Sequence, residues 1–179
     1  MVNTLPIIYP NNYNIEFLNK IWNIDLEEIN NHYESVIKEY YKDRDTSHGW
    51  QHVIDVRNNA LKICCYNVLD FKSIYIKIII LASLGHDIWD HKYVDKNNKN
   101  IFIEKFRKTL NSLGILYYWN DLVINIIENI SFSKELLLRN KNKKFNLSEK
   151  ELFLRDIVSD ADKIESIGIK GIERMILYE

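Results

Sequence analysis

Apolar residues along this chain recur at intervals of three and four, and no stretch alternates strictly, so the pattern predicts helices and no sheet. Ile29, Tyr33, Val36, Ile37 and Tyr40 share one face and predict an amphipathic helix over Leu26–Lys42. Asp43–Gly49 is polar and turn-like. Val53, Val56, Ala60, Ile63 and Cys64 then form a stripe that predicts a second helix over Trp50–Val68. Ser73 is placed to cap a third, strongly apolar helix that ends at His86–Asp87. Asp95–Asn100 reads as a polar loop, and Ile101–Leu113 and Trp119–Ile130 as helices parted around Gly114. Lys134–Asn146 is charged and reads as a mobile connection. Ser148 and Glu151 have capping-box spacing and open a further helix through Leu152, Phe153, Val158 and Ile164, with a last helical segment over Ile167–Tyr178. No internal repeat interrupts this order.

Composition sharpens the fold class. With 179 residues, 46% of them hydrophobic, the chain is long enough for one well-filled core. Only 5 glycines and 2 prolines break it, which favours long helices over a many-stranded barrel. The expected architecture is all-α, with residues 1–25 an Asn-rich, Pro-containing lead packed loosely on a domain that spans residues 26–179.

A net charge of −1 provides no global basic field for long nucleic acid or anionic lipid, so any anionic ligand must be attracted locally. The greasiest run, Ile74–Gly85, is interrupted by Lys77 and falls short of the about 20 residues a membrane span needs. Cys64 and Cys65 are sequence neighbours pointing about 100° apart on a helix, so they read as reduced thiols of a cytoplasmic protein. The lead has no basic start and no long apolar run, which argues against a signal peptide.

The chemistry lies at the end of the apolar helix, where His86 and Asp87 stand side by side. His52 opens an earlier helix, and Asp160 and Asp162 lie on a much later one, in the order H…HD…D. An aspartate closing an apolar helix is costly to bury alone, and a metal ion removes that cost. Imidazole nitrogen with carboxylate oxygen suits manganese, magnesium, iron, cobalt, nickel or zinc, and the absence of thiolates points to a catalytic rather than a structural site. Asp160 and Asp162 face nearly opposite sides of a helix, so only one can reach the ion, and periodicity leaves both open. Asp90 follows His86 by four residues, one turn on if the helix continues, where a carboxylate can act as general base. His48, Arg57, Lys92 and Lys163 are the local cations for phosphate. His91 is either a substrate contact or an exposed side chain, and His32 is structural. Arg139, Lys141, Lys143 and Lys144 read as a solvated run, Ser131–Phe132 as a hydroxyl and ring within reach of a base or sugar, and Trp50, Trp89 and Tyr93 as core aromatics.

Four elements carry a resemblance: Ser47–His48–Gly49–Trp50–Gln51–His52, His86–Asp87–Ile88–Trp89–Asp90–His91–Lys92, Ile130–Ser131–Phe132 and Asp160–Ala161–Asp162–Lys163. The chain resembles the HD-domain superfamily of metal-dependent phosphohydrolases, and its small stand-alone members most, from about Leu26 onward. The resemblance implies a helical bundle with one metal site between helices. It implies His52, His86, Asp87 and Asp162 as ligands of one divalent ion, with Asp160 supporting Asp162 from behind. Related hydrolases keep an acidic residue at the position of Asp90, usually glutamate, and aspartate is one methylene shorter. Such relatives typically continue past the segment matching Tyr178–Glu179, which bears on closure of the pocket and on a homodimer. The implied activity is hydrolysis of a small phosphorylated substrate, a nucleotide first of all, with a nucleoside or deoxynucleoside triphosphate giving monophosphate and pyrophosphate. Superfamily members also include 5′-nucleotidases, cyclic-nucleotide phosphodiesterases and alarmone hydrolases, which no residue here separates. The rival expectation is a catalytically silent HD domain that binds nucleotide as a regulator.

Overall fold

A helix that is apolar on every side has to be surrounded, and the segment Ser73–Gly85 sets the architecture for that reason. The computed structural model describes residues 15–45, 48–67 and 72–167, and among them every regular element is helical. In chain order these are α1 (Ile15–Trp22), α2 (Leu26–Ile37), a 3₁₀ turn (Lys38–Tyr41), α3 (Trp50–Asn67), α4 (Ser73–Gly85), α5 (Lys99–Ser112), α6 (Tyr117–Glu128), α7 (Phe132–Asn140) and α8 (Glu149–Glu165). The fold is all-α, as the periodicity predicts. Ile76 and every residue from Ile78 to Gly85 are buried, with α2, α3, α6 and α8 packed around α4. The isoleucines cost a few tenths of a kcal/mol each in helix propensity, a cost outweighed by burial worth about 1.5–3 kcal/mol per side chain. No helix among the described residues is long and apolar enough to cross a membrane.

The outer helices bury the stripes the sequence marks. On α3 these are Val53, Val56, Ala60, Leu61 and Cys64, and on α8 Leu154, Ile157, Val158 and Ala161. The capping box at the start of α8 is present in both directions, with the Ser148 hydroxyl accepting from the Glu151 backbone and Glu151 from Ser148. Burial pushes the Cys64 thiol well up and that of Cys65 to about 11, so both are inert thiols.

Three local expectations change. The N-terminal lead contains α1, whose Leu18 and Trp22 are both 2% exposed in the core; helical spacing of these residues with Ile21 is the signal that the Asn-rich surroundings obscure. Ser73 is the first residue of α4 and makes no capping hydrogen bond, because Lys72 occupies the cap position. Lys134–Asn140 lies in a helix rather than a mobile connection. Although α7 buries none of its residues, Glu135 ties it to Arg155 and Lys163 of α8, at 3.1 and 3.0 Å. Ser47, Val68 and the expected helix beyond Ile167 lie outside the described residues, apart from Ile167 itself.

Candidate metal centre

The site forms where α4 stops. Gly85 is its last residue, and a Cβ there would meet Phe106 Cζ at 2.8 Å and Ile127 Cδ1 at 3.0 Å. Only glycine lets α5 and α6 close on the helix end at this point. Past Gly85 the chain tightens, with Ile88 N–H donating to the Gly85 carbonyl (3.1 Å) and Asp90 N–H to that of Asp87 (3.0 Å). Two side chains from the segment after α2 clamp this turn. The Tyr41 hydroxyl donates to the Leu84 carbonyl at 2.7 Å, and Arg44 Nη2 to the Ile88 carbonyl at 2.7 Å. Burial, with the Asp87 charge adding to it, raises the Tyr41 phenol well above its ordinary value, so it remains a donor.

On this platform His86 turns its ring inward. Its Nδ1–H donates to the Ser83 carbonyl at 2.8 Å, which leaves the Nε2 lone pair directed away from α4. His52 comes from the first turn of α3, and its Nε2 lies 3.2 Å from His86 Nε2. Asp87 Oδ2 is 3.7 Å from His52 Nε2 and 3.5 Å from His86 Nε2. Asp162, near the end of α8, sets Oδ1 3.3 and 3.7 Å from the same two nitrogens. Asp160 is turned outward, its side chain 61% exposed and 3.4 Å from Lys163 Nζ. Tertiary packing therefore separates the two aspartates that periodicity leaves equivalent.

The fit to a cation can be tested on these atoms. Ligands about 2.1 Å from one ion stand about 3.0 Å apart at octahedral right angles and about 3.4 Å apart in a tetrahedron. Three of the five measured separations, 3.2, 3.3 and 3.5 Å, fall close to that range and the other two are 3.7 Å, and the ligand atoms of His52, His86 and Asp87 all lie within 4.8 Å of one another, a group that does not extend to Asp162. Asp87 Oδ2 is buried and accepts no hydrogen bond, an arrangement that is expensive for a carboxylate unless a cation occupies the space it faces. The residues present fit a divalent ion.

The cluster opens into a cavity of about 590 Å³. His48, Trp89, Asp90, His91 and Lys92 line it, so further residues singled out in the sequence reach the same space. Asp90 does not sit one α-helical turn beyond His86, since the helix has ended; its Oδ1 accepts from the Lys92 backbone at 2.9 Å. Arg57 and Lys163 are not among the lining residues. Arg57 is buried against Glu34 (2.8 Å), and Lys163 pairs with Glu135 (3.0 Å).

Several lining residues carry no signal in the linear pattern. Lys96 and Lys99 come from a segment that reads as a polar loop, and Glu128 receives both Lys99 Nζ (2.9 Å) and Trp89 Nε1 (2.6 Å). Ser131 and Phe132, whose hydroxyl and ring the sequence does single out, enter together with Ser133 at the start of α7, next to the Asn129 carbonyl that Arg155, 3% exposed, holds at 2.7 Å. A buried arginine inside an amphipathic helix is the trace that could have pointed to this anchor. No family model, curated protein or solved structure matches the chain.

Proposed function

We propose that this chain is a metal-dependent phosphohydrolase of the HD-domain type, acting on a small phosphorylated molecule and on nucleotides first of all. The observation that carries the reading is the convergence of His52, His86 and Asp87, with Asp162 Oδ1 3.3 and 3.7 Å from the two imidazoles and the Asp87 Oδ2 buried and without a donor. His52, His86, Asp87 and Asp162 would hold one divalent ion of the manganese, magnesium, iron, cobalt, nickel or zinc class. That ion would supply Lewis acidity toward a phosphoryl oxygen and toward water.

The chain's own residues have separate tasks in this scheme. Asp90 lines the cavity and takes the proton of the attacking water, an effect typically worth about 10²–10⁴-fold. Lys92 and Lys96 supply positive charge to the phosphates, while Ser131 and Ser133 offer hydroxyls from the cavity lining. A cavity of about 590 Å³ has room for a nucleotide and none for a long polymer threaded through it. The net charge of −1 argues in the same direction, because little counterion release is available along a nucleic-acid backbone.

Elemental analysis and metal titration of wild type and His86→Ala, followed by a panel of nucleoside tri-, di- and monophosphates with phosphate and pyrophosphate readouts, test the reading. About one ion per chain is expected in wild type and little in the variant, with turnover of at least one mononucleotide. Equal metal uptake by both proteins would sink the metal centre. Hydrolysis of single-stranded DNA or RNA without mononucleotide turnover would refute the substrate class. Tight nucleotide binding with no turnover under manganese or magnesium would identify a silent regulatory domain instead.

A further inference from the structure

Among the residues at the cavity, His48 has surroundings that do not suit a phosphate-binding cation. It is 6% exposed, and its Nε2 lies 3.2 Å from Lys92 Nζ. An ammonium has three donors and no acceptor, so the ring nitrogen must be the acceptor and the imidazole is neutral. The proton then sits on Nδ1, on the side of Asp45, whose Oδ1 is 3.8 Å from it and accepts the His48 backbone N–H at 3.2 Å. Asp45 Oδ2 takes the Tyr93 hydroxyl, and the Tyr93 ring packs on His48 at 5.7 Å and under the Arg44 guanidinium at 3.9 Å. Arg44 is the same side chain that clamps the turn after α4 through the Ile88 carbonyl. His48 is thus held through its backbone by Asp45 and packed on Tyr93, and its Nε2 receives Lys92.

We propose that His48 is a positioning residue: a neutral acceptor that holds the Lys92 ammonium at the cavity so that it meets a phosphoryl oxygen already aimed. This rests on the phosphohydrolase reading for its catalytic consequence, though not for the binding it describes. A lysine on an exposed turn loses much rotamer freedom when it grips an anion, and a fixed acceptor one turn before His52 removes part of that loss beforehand. In this role His48 acts through Lys92 rather than as a phosphate-binding cation.

The test is a double-mutant cycle with His48→Phe, Lys92→Met and the two combined, with His48→Gln as the conservative variant whose side-chain carbonyl can still accept. Phenylalanine keeps the ring and its packing on Tyr93, and methionine keeps the stem of the lysine. The readouts are calorimetric binding of inorganic phosphate to the protein as purified, metal content, and kcat and KM on whichever nucleotide the panel selects. Lys92→Met is expected to weaken phosphate about 10- to 100-fold, the range of a charge-assisted hydrogen bond, and His48→Phe about 3- to 10-fold. The double variant should lose no more than Lys92→Met alone, His48→Gln should restore most of the loss, and metal content should stay at the wild-type level throughout. Losses that multiply in the double variant would overturn the proposal, as would loss of metal in His48→Phe or wild type that fails to bind phosphate. Non-additive phosphate binding in a protein that hydrolyses nothing would uphold it while the phosphohydrolase reading fell.

Discussion

Replacing Asp87 by asparagine should invert the stability of this protein depending on whether metal is present. In the folded chain the Asp87 Oδ2 is buried, accepts no hydrogen bond and sits 3.5 and 3.7 Å from two imidazole nitrogens. The His86 nitrogen carries a lone pair, because its other nitrogen donates to the Ser83 carbonyl. A carboxylate in that setting lacks a donor, and leaving a buried polar group unsatisfied costs about 1–3 kcal/mol. Asparagine has nearly the same shape, removes the charge and can turn its amide N–H toward the His86 lone pair. With a chelator present, Asp87→Asn should therefore be more stable than wild type by about 1–3 kcal/mol. For a domain of this length that is about 2–12 °C in Tm. Added metal should reverse the order: an ion at 100 times its dissociation constant contributes about 2.7 kcal/mol to the protein that binds it and little to a variant lacking a charged ligand. Differential scanning fluorimetry of both proteins, in chelator and across a manganese and zinc titration, reads both halves. A variant that is less stable than wild type in chelator would mean that Asp87 is already satisfied without an ion, and the reasoning for a metal centre would lose its main support.

Other outcomes follow from the same geometry. Asp90→Asn keeps size and hydrogen-bonding reach but loses basicity, so metal content should stay near wild type while kcat falls about 10²–10⁴-fold; an unchanged kcat removes Asp90 from the mechanism, and lost metal makes it a ligand. Gly85→Ala gains up to about 1 kcal/mol of helix propensity but drives a methyl to 2.8 Å from the fully buried Phe106, an overpacking cost of about 1–3 kcal/mol. It should lower Tm and weaken metal binding at the adjacent His86, and Phe106→Leu in the same chain should relieve both; a Gly85→Ala protein as stable as wild type would contradict the close approach. Lys163, and with it Arg155, holds the Glu135 carboxyl below the ordinary glutamate range, so the stability it contributes is present above about pH 4.3 and lost as pH falls through its lowered folded value. Thermal melts of wild type and Glu135→Gln should differ at neutral pH and converge in acid; a constant difference would rule out this linkage.

Much of the site was legible before folding because its chemistry is local. His86 and Asp87 are neighbours in the chain, the apolar run before them can only be a buried helix, and His52 falls in the first turn of a stripe that reads clearly as helical. The capping box that starts α8 is equally local, and the 3.6-residue period settled the all-α class. What packing alone decided are relations between residues far apart in sequence. Two residues apart, Asp160 and Asp162 are equivalent to any periodic pattern; the rotation of α8 against α3 and α4 sends one to the imidazoles and the other to solvent. Arg57 and Lys163, read as phosphate-binding from charge and proximity, are drawn instead to Glu34 and Glu135, since packing brings those carboxylates within 2.8 and 3.0 Å of them. Lys99 and Glu128, and the Tyr41 and Arg44 clamps, are invisible for the complementary reason: the hydrogen bonds that place them span at least 29 positions. Hydrophobic periodicity specifies which face of each helix is buried, whereas the rotation and closure of those helices on one another specify which polar atoms meet.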